Sequence, residues 1–319
     1  MTDETRVNST ALTQPTNLAD TEGQFHHKPR NHWWDVWDQL KHHKGALFGG
    51  GFFVLITLGV IVGPWLWSIE ATYIDIRARN QGLSLAHPFG TDQLGRDMLA
   101  RMIAGGRISL AVGFSAMLLA LLLGTLVGVL AGFYKRLDTI LMRITDLFLS
   151  LPLLPLLLVM VMLFREPLSS AFGPETGIFL LIVTAIGLTS WMPTARIVRG
   201  DVLALKEREF IMAARSIGTA NNALVRRHII PNVLSPIMVS ATLGIANAII
   251  TESALSFLGL GFPPDFPTWG RILFDATDYL QQYPSRVLWP GLAISLTVLG
   301  VNYLGDGLRD ALDPRIRGR

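Results

Sequence analysis

Long apolar runs separated by short charged segments dominate the chain from about residue 45 to residue 310. Lipid offers the backbone no hydrogen-bond partner, so a run of roughly 20 apolar residues predicts a membrane-spanning helix. Six such runs lie between flanking charges, and they predict spans at about residues 46–68, 108–133, 139–164, 176–197, 232–258 and 287–309. The third and sixth runs are short, so we expect their helices to extend past a flanking charge. The pattern predicts an all-α integral membrane protein with six transmembrane helices.

Composition agrees with a membrane location. Half of the 319 residues are hydrophobic and 16% are charged, whereas about a quarter of the residues in soluble domains are charged. The absence of cysteine rules out both a disulfide framework and a thiolate metal site. Glycines at four-residue spacing, at Gly59 and Gly63 and at Gly124, Gly128 and Gly132, predict close packing between helices.

The distribution of basic residues predicts the orientation. If the N-terminus lies in the cytoplasm, the segments on that side carry 19 of the 27 lysines and arginines. Because basic residues are retained on the cytoplasmic side, both termini are expected there.

Two regions precede the first span. Residues 1–30 are polar and are expected to form a disordered cytoplasmic tail. Residues 31–44 place Trp33, Trp37 and Leu40 at helical spacing before two lysines, which predicts an amphipathic helix at the cytoplasmic interface. The adjacent histidines at 26–27 and 42–43 do not predict a metal site, because neighbouring side chains on a helix diverge.

The longest cytoplasmic loop, about residues 203–231, has a helix–glycine–helix pattern. Phe210, Ala213, Ala214 and Ile217 share one helix face. Gly218 follows where a helix ends in a left-handed turn, so Thr219 is expected to cap a second helix that ends at Pro231. The pattern suits a docking knob with a small-residue face, and it suits a solvated hairpin equally well.

Several residues outside this loop are candidates for function. Glu252 lies within the fifth span near its outer end, where a carboxylate is costly. It either lines or gates a pathway, or it snorkels to the interface or pairs with a nearby arginine. In the segment predicted on the outer side of the membrane, Gly90-Thr91-Asp92 and Gly95-Arg96-Asp97 predict a capped turn in which Asp92 or Asp97 begins a short helix. A later outer segment of about 29 residues carries Trp269 and is too long for a plain connector.

No motif for catalysis or for ATP binding is present. The chain lacks a phosphate-cradling G-x-x-x-x-G-K-[ST] loop and an H-E-x-x-H pair. The nearest approach to a nucleophile elbow, at residues 113–117, lacks the closing glycine and lies within a span. We therefore expect no catalytic residue, no bound metal or cofactor and no nucleic-acid partner, and a membrane enzyme is a distant alternative.

The loop at residues 208–232 resembles the cytoplasmic signature of the membrane subunits of ABC importers. That signature runs Glu-Ala-Ala, three residues, Gly, nine residues, then a segment ending in Leu-Pro. Ala213, Ala214, Gly218 and Pro231 keep the spacing, whereas Met212 stands where the signature has its glutamate. Glu209 lies one turn earlier.

More specifically, residues 35–319 resemble the second, or "C", permease subunit of dipeptide and oligopeptide importers. Five ordered segments carry the resemblance: GTDQLGRD at 90–97, AGGRISL at 104–110, LSFLGLG at 255–261, WG at 269–270 and GDGLRDALDPR at 305–315. The resemblance implies the type I ABC importer permease fold and a place in the bacterial cytoplasmic membrane.

The same resemblance implies an assembly. Its other members are a paralogous second permease subunit, two ATPase subunits or domains that hold ATP and Mg²⁺, and an extracytoplasmic substrate-binding protein. ATPase coupling is expected at Phe210, Ala213, Ala214, Gly218 and Pro231, and the binding protein is expected to dock near Asp92, Asp97, Trp269 and Arg271. The family carries peptides, nickel chelates and glutathione, so a peptide is the first expectation and another small solute the second.

Overall fold

The computed structural model describes residues 32–312, and the predicted tail at 1–30 lies outside them. The regular structure of the described part is helical, with one isolated bridge between Thr91 and Asp97, while residues 67–97 are irregular apart from a 3-10 turn at Ile76–Ala78. The α-helices are α1 His32–His42, α2 Lys44–Leu66, α3 Met98–Phe133, α4 Lys135–Ser150, α5 Leu153–Phe172, α6 Pro174–Ser190, α7 Met192–Lys206, α8 Glu209–Ser216, α9 Asn221–Leu224, α10 Ile230–Phe257, α11 Trp269–Thr277 and α12 Ser285–Leu312.

Five helices are long and apolar enough to cross a bilayer: α2, α3, α5, α10 with the turns preceding it, and α12. The helices α6 and α7 meet at a 41° bend and make a sixth crossing if they are counted as one broken span. The helices α5 and α12 extend past the charges that bound their apolar runs, Arg165 for α5 and both Arg286 and Asp306 for α12.

The predicted third span at 139–164 is wrong as a single helix. The chain breaks after Ser150, and α5 begins at Leu153. Leu151 is extended because the residue before a proline avoids the helical region, and Pro152 lacks a backbone N–H for the helix ladder. The helix α4 is therefore a separate amphipathic helix, with Leu137, Ile140, Ile144 and Leu147 exposed.

The helix α3 forms the centre of the bundle, where it packs against α2, α6, α7 and α10. Its Gly124, Gly128 and Gly132 face α7 closely. A Cβ on Gly128 would stand 2.7 Å from the carbonyl oxygen of Ala195 and 2.8 Å from the Cβ of Val198. The close packing predicted for this glycine stripe is confirmed, whereas Gly59 has no neighbour at such a distance.

The helix α1 packs on the end of the bundle. Val36 is buried against Ala311 and Leu312, while Trp34 and Trp37 are exposed. The histidine that follows, His43, accepts a hydrogen bond from Ala46 N and so caps α2. A helix with exposed tryptophans on one side and the buried Val36 on the other suits a membrane surface. The placement of α1 at that surface stays a prediction.

Candidate functional site

A cleft of about 1060 Å³ opens between α3, α5, α7 and α10. Apolar residues of α4 and α5 form one wall, among them Leu149, Leu153 and Leu156. The helices α6, α7 and α10 supply polar groups, interspersed with apolar side chains such as Met192, Ile197 and Leu243. The polar residues include Ser190, Thr194, Asp201, Ser235, Ser240, Asn247 and Thr251. A mixed polar and apolar cleft inside a helical membrane bundle is the candidate pathway for a small solute.

The sequence did not lead us to predict the polar residues that line this cleft. On α10, Ser240, Gly244, Asn247 and Thr251 recur at four, three and four residues, which is one helix stripe. A stripe of small and polar residues within an apolar span was the available signal. Such a stripe is a weaker signal than a charged residue within a span, such as Glu252.

Glu252 does not line the cleft. Its side chain is fully buried between helices, where Oε2 accepts a hydrogen bond from Ser109 Oγ at 3.0 Å and Oε1 accepts one from Ser256 Oγ at 2.8 Å. Ser109 Oγ in turn accepts a bond from Trp269 N at 3.2 Å. The predictions that Glu252 lines a pathway, snorkels or pairs with an arginine are therefore wrong, whereas a role in gating stays a prediction. The carboxylate joins α10 to α3, and through Ser109 to α11.

The segment between α2 and α3 is organised around Asp92, which is only 2% exposed. Its Oδ2 pairs with Arg96 Nε at 2.7 Å and with Arg101 Nη1 at 2.6 Å, and its Oδ1 accepts from Leu94 N and Arg96 N. Burial by itself would raise the pKa of Asp92. The charges of Arg101 and Arg96 and the bonds from Arg96 outweigh burial and hold that pKa below its usual value.

A second carboxylate, Asp97, anchors the start of α3. It caps the helix through Ala100 N at 2.7 Å, and it accepts bonds from Trp67 Nε1 at 3.0 Å and contacts His87 Nδ1 at 2.7 Å. The predicted cap at Asp97 is confirmed, but the helix it begins is the 36-residue α3 and not a short one.

The residues predicted to dock a binding protein are mostly internal. Asp92, Asp97 and Trp269 are at most 2% exposed, so their side chains do not contact a docked protein directly. Trp269 donates from Nε1 to Met102 O at 3.0 Å, and Arg271 pairs with Asp275 at 3.0 Å. Because Asp275 also pairs with Arg101, the ionic network holds α11 against the start of α3.

The loop at 203–231, which the charge distribution predicts to be cytoplasmic, contains the predicted helix, glycine and second helix. Ile211 is fully buried against Val202, Leu224 and Ile229 and fixes α8 to the bundle. Phe210, Ala213 and Ile217 lie on the opposite side and are exposed, Ile217 to 84%. Ala214 is half-buried beside Ile211, so the four residues predicted to share one face divide between the bundle and the surface.

Gly218 ends α8 in the left-handed conformation, with φ at +83°. Gly218 N donates to Arg215 O and Thr219 N donates to Ala214 O, which is the bond pattern of a Schellman turn. The predicted cap at Thr219 is wrong, because Ala220 precedes the second helix and gives no side-chain cap. That helix also does not end at Pro231. It continues through a π-helical turn at Val225–Ile229 into α10.

Comparison with known proteins agrees with this architecture. Residues 120–318 match the family model described as binding-protein-dependent transport system inner membrane component. Residues 31–84 match the model of the N-terminal TM domain of oligopeptide transport permease C. The first match alone covers more than half of the chain.

Curated relatives align over nearly the whole chain. A dipeptide transport system permease protein, DppC, of Alkalihalophilus pseudofirmus is 41% identical, covering 89% of this chain and 90% of its own. The oligopeptide transport system permease protein OppC of Bacillus subtilis is 38% identical, with 94% and 95% covered. The glutathione transport system permease protein GsiD of Salmonella typhimurium is 39% identical, with 91% and 92% covered.

A solved structure supports the fold independently of sequence. The inward-facing methionine ABC transporter MetNI matches with a TM-score of 0.54 at 21% identity, covering 68% of this chain and 97% of that chain. At this identity the likeness concerns the fold only, which is that of a type I ABC importer permease. The chain belongs to the binding-protein-dependent transport system inner membrane component family, within its dipeptide and oligopeptide permease C branch.

Proposed function

We propose that this chain is the translocation subunit of an ATP-driven importer of dipeptides or oligopeptides in the bacterial cytoplasmic membrane. Membership of the permease family supports a transport role, and the names of the relatives from Alkalihalophilus and Bacillus favour peptides. The cleft lined by both polar and apolar residues supports a pathway for peptides, since a peptide presents both polar backbone and variable side chains.

The proposed coupling of this chain to a separate ATPase rests on the exposed apolar surface of α8. Phe210, Met212 and Ile217 are 45%, 49% and 84% exposed on a helix whose other side is anchored by the buried Ile211. Exposed apolar residues on a cytoplasmic projection fit a groove on a partner better than they fit water. Separate ATPase subunits bind ATP and Mg²⁺ in this proposal, and they close and separate against α8 to switch the access of the cleft.

The rest of the assembly follows the family pattern. A paralogous permease subunit faces this chain across the pathway, and a substrate-binding protein delivers the solute from outside. Both termini lie in the cytoplasm. A second candidate, import of another small solute, is favoured by the 39% identity to glutathione permeases.

Cross-linking tests the proposed contact of α8 directly. The chain has no cysteine, so Ala213→Cys introduces a single thiol on the exposed side of α8. We expect a short thiol-reactive cross-linker to join this variant to the co-expressed ATPase. The matched control is Ala171→Cys, an exposed alanine near the end of α5. An intact complex in which Ala213→Cys forms no cross-link would contradict the assignment of α8.

A further inference from the structure

A second cavity lies where α3 ends and α4 begins, away from the cleft. Its volume is about 490 Å³, and it is lined by Phe133, Tyr134, Lys135, Arg136, Lys206, Arg215 and Asn221. Four of these seven side chains are cationic, and none is a carboxylate. Nothing in the proposed transport cycle uses this cluster, which we name the basic cavity.

One of its cations is held in place by the bundle. Lys206 Nζ donates to Gly132 O at 3.1 Å and to Phe133 O at 3.0 Å, and it stands 5.9 Å from the centre of the Phe133 ring. These carbonyls are the last acceptors of α3, so the ammonium neutralises the negative end of that helix. Its position is therefore fixed before any ligand arrives.

The other three cations have no acidic partner among the residues that the structure describes. Within residues 32–312, no carboxylate oxygen lies within 4.0 Å of Lys135, Arg136 or Arg215. The neighbouring arginines contrast with them, because Arg199 makes a two-pronged pair with Asp138, and Arg196 pairs with Asp146. Three unneutralised charges gathered around one depression favour an anion with several oxygen acceptors.

The surroundings indicate where such an anion would come from. The helix α4 leaves the basic cavity with Leu137, Ile140 and Ile144 exposed, at 39%, 60% and 43%. Tyr134 stands at the junction, and aromatic side chains of this kind concentrate at the membrane–water interface. A ligand that combines a phosphate with long apolar chains would satisfy both the cations and this apolar strip.

We infer that the basic cavity binds the headgroup of an anionic phospholipid, with its acyl chains along the exposed apolar side of α4. The phosphate lies between the Lys135–Arg136 pair and the Lys206–Arg215 pair, and Asn221 offers a further amide donor. Basic pockets on the cytoplasmic side of helical bundles have this chemistry. Because Arg215 belongs to α8, a bound headgroup also ties α8 to the end of α3.

Lipid binding to the assembled complex tests this inference. The complex is placed in phosphatidylcholine nanodiscs, and binding of a fluorescent phosphatidylglycerol is measured by energy transfer from the protein. Removing two of the cations with Lys135→Gln plus Arg136→Gln is expected to weaken binding about thirtyfold. Both side chains are exposed, so the variant is expected to fold and assemble.

A matched control removes the same charge elsewhere in the cytoplasmic loop. Arg226 and Arg227 are exposed and do not line the basic cavity, so Arg226→Gln plus Arg227→Gln should keep the affinity of the parent complex. Equal affinities in the two double variants would overturn the inference. Displacement of the lipid by millimolar inorganic phosphate would also overturn it, in favour of a small-anion site. Loss of the ATPase from the Lys135→Gln plus Arg136→Gln complex would reassign the surface to subunit docking.

Discussion

At the scale of single residues, the carboxylate of Asp92 organises the segment between α2 and α3. It accepts bonds from Leu94 N, Arg96 N, Arg96 Nε and Arg101 Nη1. Arg101 is 1% exposed and Arg96 is 5% exposed, so both depend on this carboxylate for compensation of a buried charge. The segment between α2 and α3 is thereby fixed to the bundle.

Asp92→Asn is expected to destabilise the protein strongly. Removing one partner of a buried ion pair leaves the other charge uncompensated, at a cost of about 3–5 kcal/mol. Thermal unfolding of the detergent-solubilised complex measures the loss. In Asp92→Asn, Arg96 loses its only carboxylate partner among the described residues while Arg101 keeps Asp275. Asp275→Asn is the matched control, in which Arg271 loses its partner while Arg101 keeps Asp92, and a smaller effect is expected because the Arg271–Asp275 pair is more exposed. Equal losses in the two variants would show that Asp92 is not the centre of the network.

Gly218 is required for its backbone and not for its lack of bulk. A Cβ at this position would meet no atom within 4 Å, yet φ is +83°. A β-branched residue there would cost about 1–2 kcal/mol or more in strain, whereas asparagine tolerates the left-handed region. We expect Gly218→Val to abolish uptake in membranes that contain the inserted chain, and Gly218→Asn to retain it. Transport at the parent rate by Gly218→Val would contradict a coupling role for this turn.

At the scale of secondary-structure elements, two prolines show what the sequence could and could not predict. Pro152 separates α4 from α5, whereas Pro231 lies in a helix that continues from Asn221 to Phe257. The difference arises at Val225–Ile229, where Ile230 N donates to Val225 O, five residues earlier. A π turn of this kind relieves the clash and the lost bond that a proline causes. Nothing local in the sequence distinguishes the two cases.

The burial of Asp92, Asp97 and Trp269 was equally unpredictable from the sequence. The apolar runs were predictable from composition along the chain, and so was the pattern of α8, Gly218 and the following helix. The pairing of Arg101 with Asp275 joins residues 174 positions apart, and Trp269 reaches Met102 across 167. Spacing carries no information on such contacts. Asp92, Asp97 and Trp269, which the resemblance implied as docking residues, are therefore buried within this chain.

The polar stripe of α10 gives an element-scale prediction. Thr251 lines the cleft, whereas Thr242 of the same helix does not. Both hydroxyls donate to backbone carbonyls within α10, to Asn247 O and Val239 O respectively. Thr251→Val removes one polar group from the pathway wall, and we expect it to lower uptake several-fold without loss of assembly. Thr242→Val makes the identical change away from the cleft and should leave uptake near normal. The opposite order of effects would place the pathway elsewhere.

At the scale of the whole molecule, thiol labelling of intact cells tests the orientation. Leu85 is fully exposed in the outer segment, and Ala220 is exposed beside α8. With both termini in the cytoplasm, Leu85→Cys should react with an impermeant reagent in spheroplasts, whereas Ala220→Cys should react only after the membrane is opened. Cysteines at Asp92 or Trp269 would be poor probes, because those positions are buried. The reverse pattern would invert the proposed topology.

The central claim is that this chain moves solute only when a separate ATPase acts on it through α8. The most direct measurement is ATP-driven uptake of a labelled dipeptide into vesicles that contain the complete complex and binding protein. We expect Ala213→Asp to abolish uptake, because a charge on the exposed side of α8 opposes seating in an apolar groove, and Ala213→Ser to retain it. Uptake at the parent rate by an Ala213→Asp complex would contradict the account.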